Sequence, residues 1–145
     1  MGMSPELRAA GIALFDRWTE LWNGNTALAS VIMASHFTLH YAQANTEKFD
    51  DTHTPEALAA LIQSWHSYRP GIRFSAEATC VVDLEQTPGG LLGNVARPYL
   101  AAFNDPQGQL VARSGIDLLR VDSGQIVEVW SVSSGATGRT FLGTA

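Results

Sequence analysis

The most constraining stretch of this chain is LVARSGIDLLRVDSGQIVEVWSVSS, from Leu110 to Ser134. It predicts two long antiparallel strands joined by a tight turn at Asp122-Ser123-Gly124. Both arms are rich in Val, Ile, Leu and Trp, which suit a pleated, half-buried surface. Gly124 supplies the positive φ that a short hairpin turn needs. Strand alternation then sorts the side chains. Val111, Arg113, Gly115, Asp117, Leu119 and Val121 share one face of the first arm, and Val127, Val129, Ser131 and Ser133 one face of the second. The opposite faces carry Ile116 and Leu118, then Ile126, Trp130 and Val132. Both sides of the hairpin are substantially apolar, so both are expected to be covered. One acid, Asp117, interrupts the apolar run.

With 145 residues, the chain is expected to form a single domain over residues 1–145. A domain of this size buries roughly 70% of its unfolded surface and needs no disulfide or metal to hold it. Hydrophobic residues make up 46% and charged residues 16%, a balance that excludes a disordered chain. The net charge is −5 and no Lys/Arg cluster exists, which argues against nucleic acid as a partner. The single Cys80 has no internal disulfide partner and points to a reducing, cytoplasmic setting. No apolar run approaches the roughly 20 residues of a membrane span. The opening MGMSPELR lacks the basic-then-apolar pattern of a signal peptide.

Helix signals come first along the chain. Ser4-Pro5-Glu6 reads as cap, first turn and acidic N-terminus. Leu7, Gly11, Leu14, Phe15, Trp18, Leu21 and Trp22 then recur at helical spacing until Asn23-Gly24. A second, shorter helix is expected from about Thr26 to Ala34. His36 to Tyr41 alternates as a strand, with Phe37, Leu39 and Tyr41 on one face and His36, Thr38 and His40 on the other. His36 and His40 stand at a metal-ligand spacing only if helical, and no third ligand accompanies them, so no metal is expected. Gln43 to His53 reads as a polar loop whose one large apolar residue is Phe49, either a loop over a cavity mouth or simply a loop. Thr54-Pro55-Glu56 opens a third helix with Leu58, Leu61, Ile62 and Trp65 on its apolar stripe. From Ile72 a strand is expected through Val82. A further strand runs from Leu91 to Phe103, where Pro98 calls for a bulge or an edge. The Gly- and Thr-rich tail from Gly135 is expected to fray, with Phe141 and Leu142 able to dock. Helices followed by antiparallel strands define an α+β domain with helices on one face of a curved sheet.

At this point the chain resembles the nuclear transport factor 2-like superfamily, and within it the SnoaL-like group. The residues that carry the resemblance are the first helix ending in WNGN, the strand HFTLHY, the helix opened by Thr54-Pro55-Glu56-Ala57-Leu58, and the hairpin SGIDLLRVDSGQIVEVW. The resemblance implies a cone-shaped, mostly antiparallel sheet wrapped by three N-terminal helices around a deep apolar pocket, and a homodimer through the outer sheet face. Asp117 falls where steroid isomerase relatives place the acid of their oxyanion hole. Tyr41 falls within one position of their carboxylate base, and Trp18 or Arg17 near their oxyanion Tyr. SnoaL-like cyclases carry an Asp directly after the Trp of the last strand, where this chain has Ser131. Epoxide hydrolase relatives use an Arg between two acids. Arg97 matches that Arg, but Tyr99 stands where an acid should. No known catalytic set is complete.

Two readings of Asp117 stay open. In an apolar pocket its pKa rises and it becomes a proton donor near neutral pH. Alternatively Arg97, Arg113 or Arg120 neutralises it. Two function classes stay open as well. One is a cofactor-free enzyme that performs acid/base cyclisation, isomerisation or dehydration on a small hydrophobic molecule. The other is a binding protein without turnover, and an epoxide-hydrolase-like enzyme with a changed catalytic set is a further alternative that the resemblance implies. Asp117, His40 and Tyr41 are the candidate catalytic residues. Trp18, Trp65, Arg97, Tyr99, Val129 and Ser131 are the candidate ligand contacts. No Gly-rich strand-to-helix turn suits a nucleotide cofactor.

Overall fold

A computed structural model of the chain describes residues 3–135 and 139–141. Leu142 and the rest of the tail beyond Phe141 lie outside the described residues, as do residues 136–138. Helix α1 spans Pro5–Trp22, with the Ser4 hydroxyl accepting the Leu7 N–H at 3.1 Å. Its stripe Gly11, Leu14, Phe15, Trp18, Leu21 and Trp22 is buried against the sheet. Contact is close at Gly11, where an added Cβ would lie 2.6 Å from Val82 Cγ1. The helix ends at Asn23, whose side-chain amide accepts the Phe74 N–H at 2.7 Å and donates to the Phe74 carbonyl at 2.8 Å. One residue thus closes a helix and ties it to a strand edge. Helix α3, Pro55–Tyr68, starts with Thr54 accepting the Ala57 N–H at 3.2 Å and buries Leu58 and Ile62.

The second helix is shorter than its sequence suggests. A 3-10 turn at Thr26–Leu28 leads into α2, Ala29–Ile32, and the chain is already strand at Met33. The reason is tertiary: Met33 pairs with Ile126, so sheet pairing takes residues that local propensity assigns to the helix.

The strands are β1 Met33–Tyr41, β2 Arg73–Ala76, β3 Val81–Thr87, β4 Gly90–Asn104, β5 Leu110–Asp122 and β6 Gln125–Ser133. They form one mostly antiparallel, curved sheet in the order β1-β6-β5-β4-β2, with β3 also on β4. The β1–β6 pairing is the parallel one. The strand expected from Ile72 to Val82 is broken at residues 77–80, and both halves lie along the same edge of β4. Pro98 sits opposite that break, where Glu77 N–H donates to its carbonyl at 2.9 Å and no neighbour needs the N–H that proline lacks. The expected edge position is therefore local, in the middle of a central strand.

The β5–β6 turn has φ of 53° at Ser123 and 77° at Gly124, the conformation of a tight two-residue hairpin. Beyond it, strict alternation fails at one place. Val121 pairs with Ile126 but Arg120 with Glu128, a bulge at Val127 that turns Ile126 inward, where it is fully buried. Ile126 therefore belongs to the core and not to the outer face with Trp130. Among the described residues, no helix is long and apolar enough to cross a membrane.

Candidate functional site

Asp117 lies on the concave side of β5, on the same face as Leu119 and Val121, both fully buried. Alternation alone places it there. Only 6% of its surface is exposed. The Trp18 indole, reaching in from α1, donates to Asp117 Oδ2 at 2.9 Å. No arginine reaches it. Arg97, its direct Cα partner on β4, instead donates to Asp16 Oδ1 at 2.9 Å and to the Glu77 carbonyl. Arg120 pairs with Glu128 on the opposite face at 2.8 Å. Burial pushes the Asp117 carboxyl up to about 6, against the opposing pull of the Ser131 hydroxyl and the Trp18 N–H. The reading in which an arginine neutralises Asp117 is therefore corrected: the strand register permits a pair, but each candidate arginine is engaged or placed elsewhere.

Around Asp117 is a cavity of about 50 Å³. Phe15, Trp18, Thr19 and Trp22 enter from α1, Tyr41 and Gln43 from the end of β1, Phe49 from the 3-10 turn Glu47–Asp51, and Trp65 from α3. Phe74, Tyr99 and Ser131 complete the wall. Trp22 is the hub, with ring centroids 6.1 Å from Trp18, 6.0 Å from Phe49, 6.1 Å from Trp65 and 5.5 Å from Phe74. Phe49, 1% exposed, stacks on Tyr41 at 3.9 Å. The segment read as a polar loop thus places its one large apolar residue inside the molecule.

The cavity's polar atoms are distinctive. Among the described residues, four buried side-chain atoms have no hydrogen-bond partner: Asp117 Oδ1, Ser131 Oγ, Gln43 Oε1 and Trp22 Nε1. All four belong to residues that line this cavity. The Ser131 hydroxyl lies among Asp117, Tyr41 and Tyr99 without completing a hydrogen bond to any of them. Unsatisfied buried groups are rare and costly, roughly 1–3 kcal/mol each, and here they are concentrated in one cavity. Both phenols are held protonated. Burial, followed by the Asp117 charge, raises Tyr41 well above its ordinary range and raises Tyr99 as well.

Tyr99 gains its position from a missing side chain. Gly115 lies directly across from it on β5, and a Cβ there would come within 2.5 Å of the Tyr99 hydroxyl oxygen. The Gly115 position thus admits the phenol to the cavity.

Of the residues singled out from sequence, Asp117, Tyr41, Trp18, Trp65, Tyr99 and Ser131 converge on the cavity, and His40, Arg97 and Val129 do not. His40 takes the outer face of β1, stacked on Trp130 at 5.2 Å and paired with Glu128 at 2.6 Å, because Phe37, Leu39 and Tyr41 hold the inner positions. Arg97 serves the junction of α1, β4 and the β2–β3 break. Val129 is fully buried in the solid core. Sequence reasoning missed Phe15, Thr19, Trp22, Gln43, Phe49 and Phe74. Phe15 and Trp22 stand three before and four after Trp18, so the helical stripe carried their signal. Gln43 and Phe49 belong to the segment that sequence offered as a loop over a cavity mouth, but without periodicity it could not say which of its residues line the cavity. Among the described residues, no group of three or more His, Cys, Asp or Glu could hold a metal ion.

The cavity continues outward. A vestibule of about 260 Å³ shares Gln43, Trp65, Phe74 and Tyr99 with it and adds Arg69 and Arg113.

Comparison with solved structures places this architecture. A candidate SnoaL-like polyketide cyclase from Jannaschia sp. CCS1 superposes with a TM-score of 0.64 at 14% identity, over 92% of this chain and 90% of that one. IdmH, a candidate polyketide cyclase from Streptomyces antibioticus, gives 0.62 at 18% identity over 85% and 91%. TsrD from Streptomyces laurentii gives 0.65 at 12% identity over 87% and 89%. No protein-family model matches the sequence, and no curated protein sequence matches it. The chain therefore has the nuclear transport factor 2-like fold of the SnoaL-like proteins, as the sequence resemblance implied.

Proposed function

We propose that the cavity binds a small, largely apolar molecule bearing carbonyl or hydroxyl groups, and that Asp117 exchanges a proton with it. The observation that carries this reading is the gathering of every unpartnered buried polar atom among the described residues around one aromatic-walled cavity, with Asp117 Oδ1 among them. A carboxyl held near 6 is a stronger base than an ordinary carboxylate and still ionised at neutral pH. The fitting chemistry is removal of a proton from a carbon beside a carbonyl. In a cyclisation, the enolate carbon then attacks a second carbonyl of the same molecule, and the alkoxide so formed recovers the proton from Asp117. Isomerisation returns that proton to a different carbon, and dehydration expels hydroxide as water. None of these needs an electron acceptor. Tyr41 and Tyr99, kept protonated, supply hydrogen bonds to the developing oxyanion.

The neighbours' names support this reading, since two of them are candidate polyketide cyclases. A second reading, binding without turnover, is favoured by the single carboxyl: no other lining residue is an acid or a histidine. Asp117→Asn separates the two. The change is nearly isosteric, and Asn still accepts the Trp18 N–H. Turnover of a cyclisable diketone should fall roughly 100-fold or more with binding retained. Equal turnover by both forms would reject Asp117 as the proton carrier.

We also propose a homodimer through the outer sheet face. Ile116, Trp130 and Val132 are 43%, 38% and 53% exposed there, a contiguous apolar surface that a lone chain leaves uncovered. Light scattering at micromolar concentration should give twice the chain mass, and Trp130→Glu should halve it. A wild-type monomer would refute the proposal.

A further inference from the structure

The vestibule carries two arginines that no acid among the described residues neutralises. The ion pairs among the described residues are His40–Glu128, Arg97–Asp16 and Arg120–Glu128, and neither Arg69 nor Arg113 takes part. Among the described residues, no Asp or Glu lines the vestibule. The Arg69 guanidinium lies 3.8 Å over the Trp65 ring, which fixes its plane and leaves its N–H edge without a hydrogen-bond partner among the described residues. Arg113 Nη1 donates only to the carbonyl of the preceding residue, Ala112, at 3.0 Å. Both side chains are half-buried. Burial, and then the Arg113 charge, lowers the Arg69 pKa, so the two cations feel one another. Two cations sharing one cleft repel, and although acids outnumber bases 14 to 9 in this chain, none among the described residues pairs with either of them.

We propose that the molecule bound in the inner cavity carries an oxyanion, held in the vestibule by Arg69 and Arg113. This rests on the inner cavity being a ligand site. The geometry fits an amphipathic ligand. Its apolar body lies among the aromatic side chains, Trp65 forms the shared wall, and the anionic end meets the two guanidinium groups. Arginine suits this task, because its planar fork matches two oxygens of a carboxylate or phosphate. The clamp would set the depth of the ligand, and with it which carbon faces Asp117.

Calorimetric titration at low salt with 3-phenylpropanoate, 3-phenylpropanamide and 2-phenylethyl phosphate tests this. These share an apolar body and differ in the charged end. At least one anion should bind about tenfold more tightly than the amide, and the tighter of the two names the oxyanion. Arg69→Gln or Arg113→Gln should remove that advantage and leave the amide affinity unchanged. Arg120→Gln, outside the vestibule, should preserve it. Should either vestibule variant fail to fold, about 0.3 M NaCl on the unaltered protein should weaken anion binding and spare the amide. An amide that binds as tightly as both anions overturns the clamp and leaves the inner cavity standing as a ligand site. Failure of all three to bind overturns both.

Discussion

Asp117 and Glu128 stand on neighbouring strands of one hairpin and meet opposite fates. Glu128, on the outer face, accepts from His40 at 2.6 Å and from Arg120 at 2.8 Å. The His40 hydrogen bond is the chief reason its carboxyl is held below the ordinary range. Asp117, on the inner face, has one donor, Trp18, and burial drives it the other way. The outer face satisfies its polar groups among themselves, and the inner face leaves them open. A protein that only needed a stable hairpin would have no use for the second arrangement. The contrast separates a face whose polar groups pair with one another from a face whose polar groups stay open.

The largest effect expected from breaking this contrast is on stability against pH. The Asp117 value rises from 3.8 to about 6 on folding. Its contribution is therefore complete below about pH 4 and is lost as the pH rises through about 6. At pH 7.5 the ionised group opposes folding by up to about 3 kcal/mol. Asp117→Asn should thus raise the melting temperature at pH 7.5 and leave it nearly unchanged at pH 4. An arginine partner, the alternative considered from sequence, predicts destabilisation at pH 7.5 instead. Thermal melts of both proteins across that range decide the sign.

A smaller effect is expected from Gly115→Ala. The added Cβ would also come 2.5 Å from the Val132 carbonyl, so the clash has backbone on one side and the Tyr99 ring on the other. The expected cost is about 1–3 kcal/mol, with Tyr99 displaced and ligand affinity reduced. Chemical denaturation and titration with the 3-phenylpropanoate probe measure the two consequences. Unchanged values in both would mean that the inner face is less tightly fitted than its contacts indicate.

The smallest effect belongs to Glu128→Gln. Removing a half-buried charge from the solvent-facing outer cluster should change stability by less than about 1 kcal/mol, readable as a small shift in denaturation midpoint. The pH dependence set by Asp117 should stay as it was. A large loss would show that the outer cluster holds the hairpin in register after all.

Much of this contrast was legible in the chain. Alternation put Asp117 and Ser131 on one face and Ile116 and Trp130 on the other, and the helical stripe carried Trp18 to the sheet. Period-2 and period-3.6 patterns are local, and a linear sequence records them directly. Three placements were not legible. The Val127 bulge turned Ile126 inward, because one extra residue shifts every side chain after it and leaves no compositional trace. Arg97 went to Asp16, 81 positions away, although register set it opposite Asp117. Phe49 reached the cavity from a segment with no period at all.

The sequence by itself determined the element types, the capped helices, the hairpin turn and the identity of the one buried acid. These follow from propensity, spacing and the chemistry of single residues. Only the tertiary structure decided that Asp117 has no cationic partner among the described residues, that the unpartnered polar atoms share one cavity, and that Arg69 and Arg113 line the same vestibule. Each is a relation between residues far apart in the chain. Such relations depend on how helices and strands are laid against one another, and pattern along one strand carries no record of what will face it.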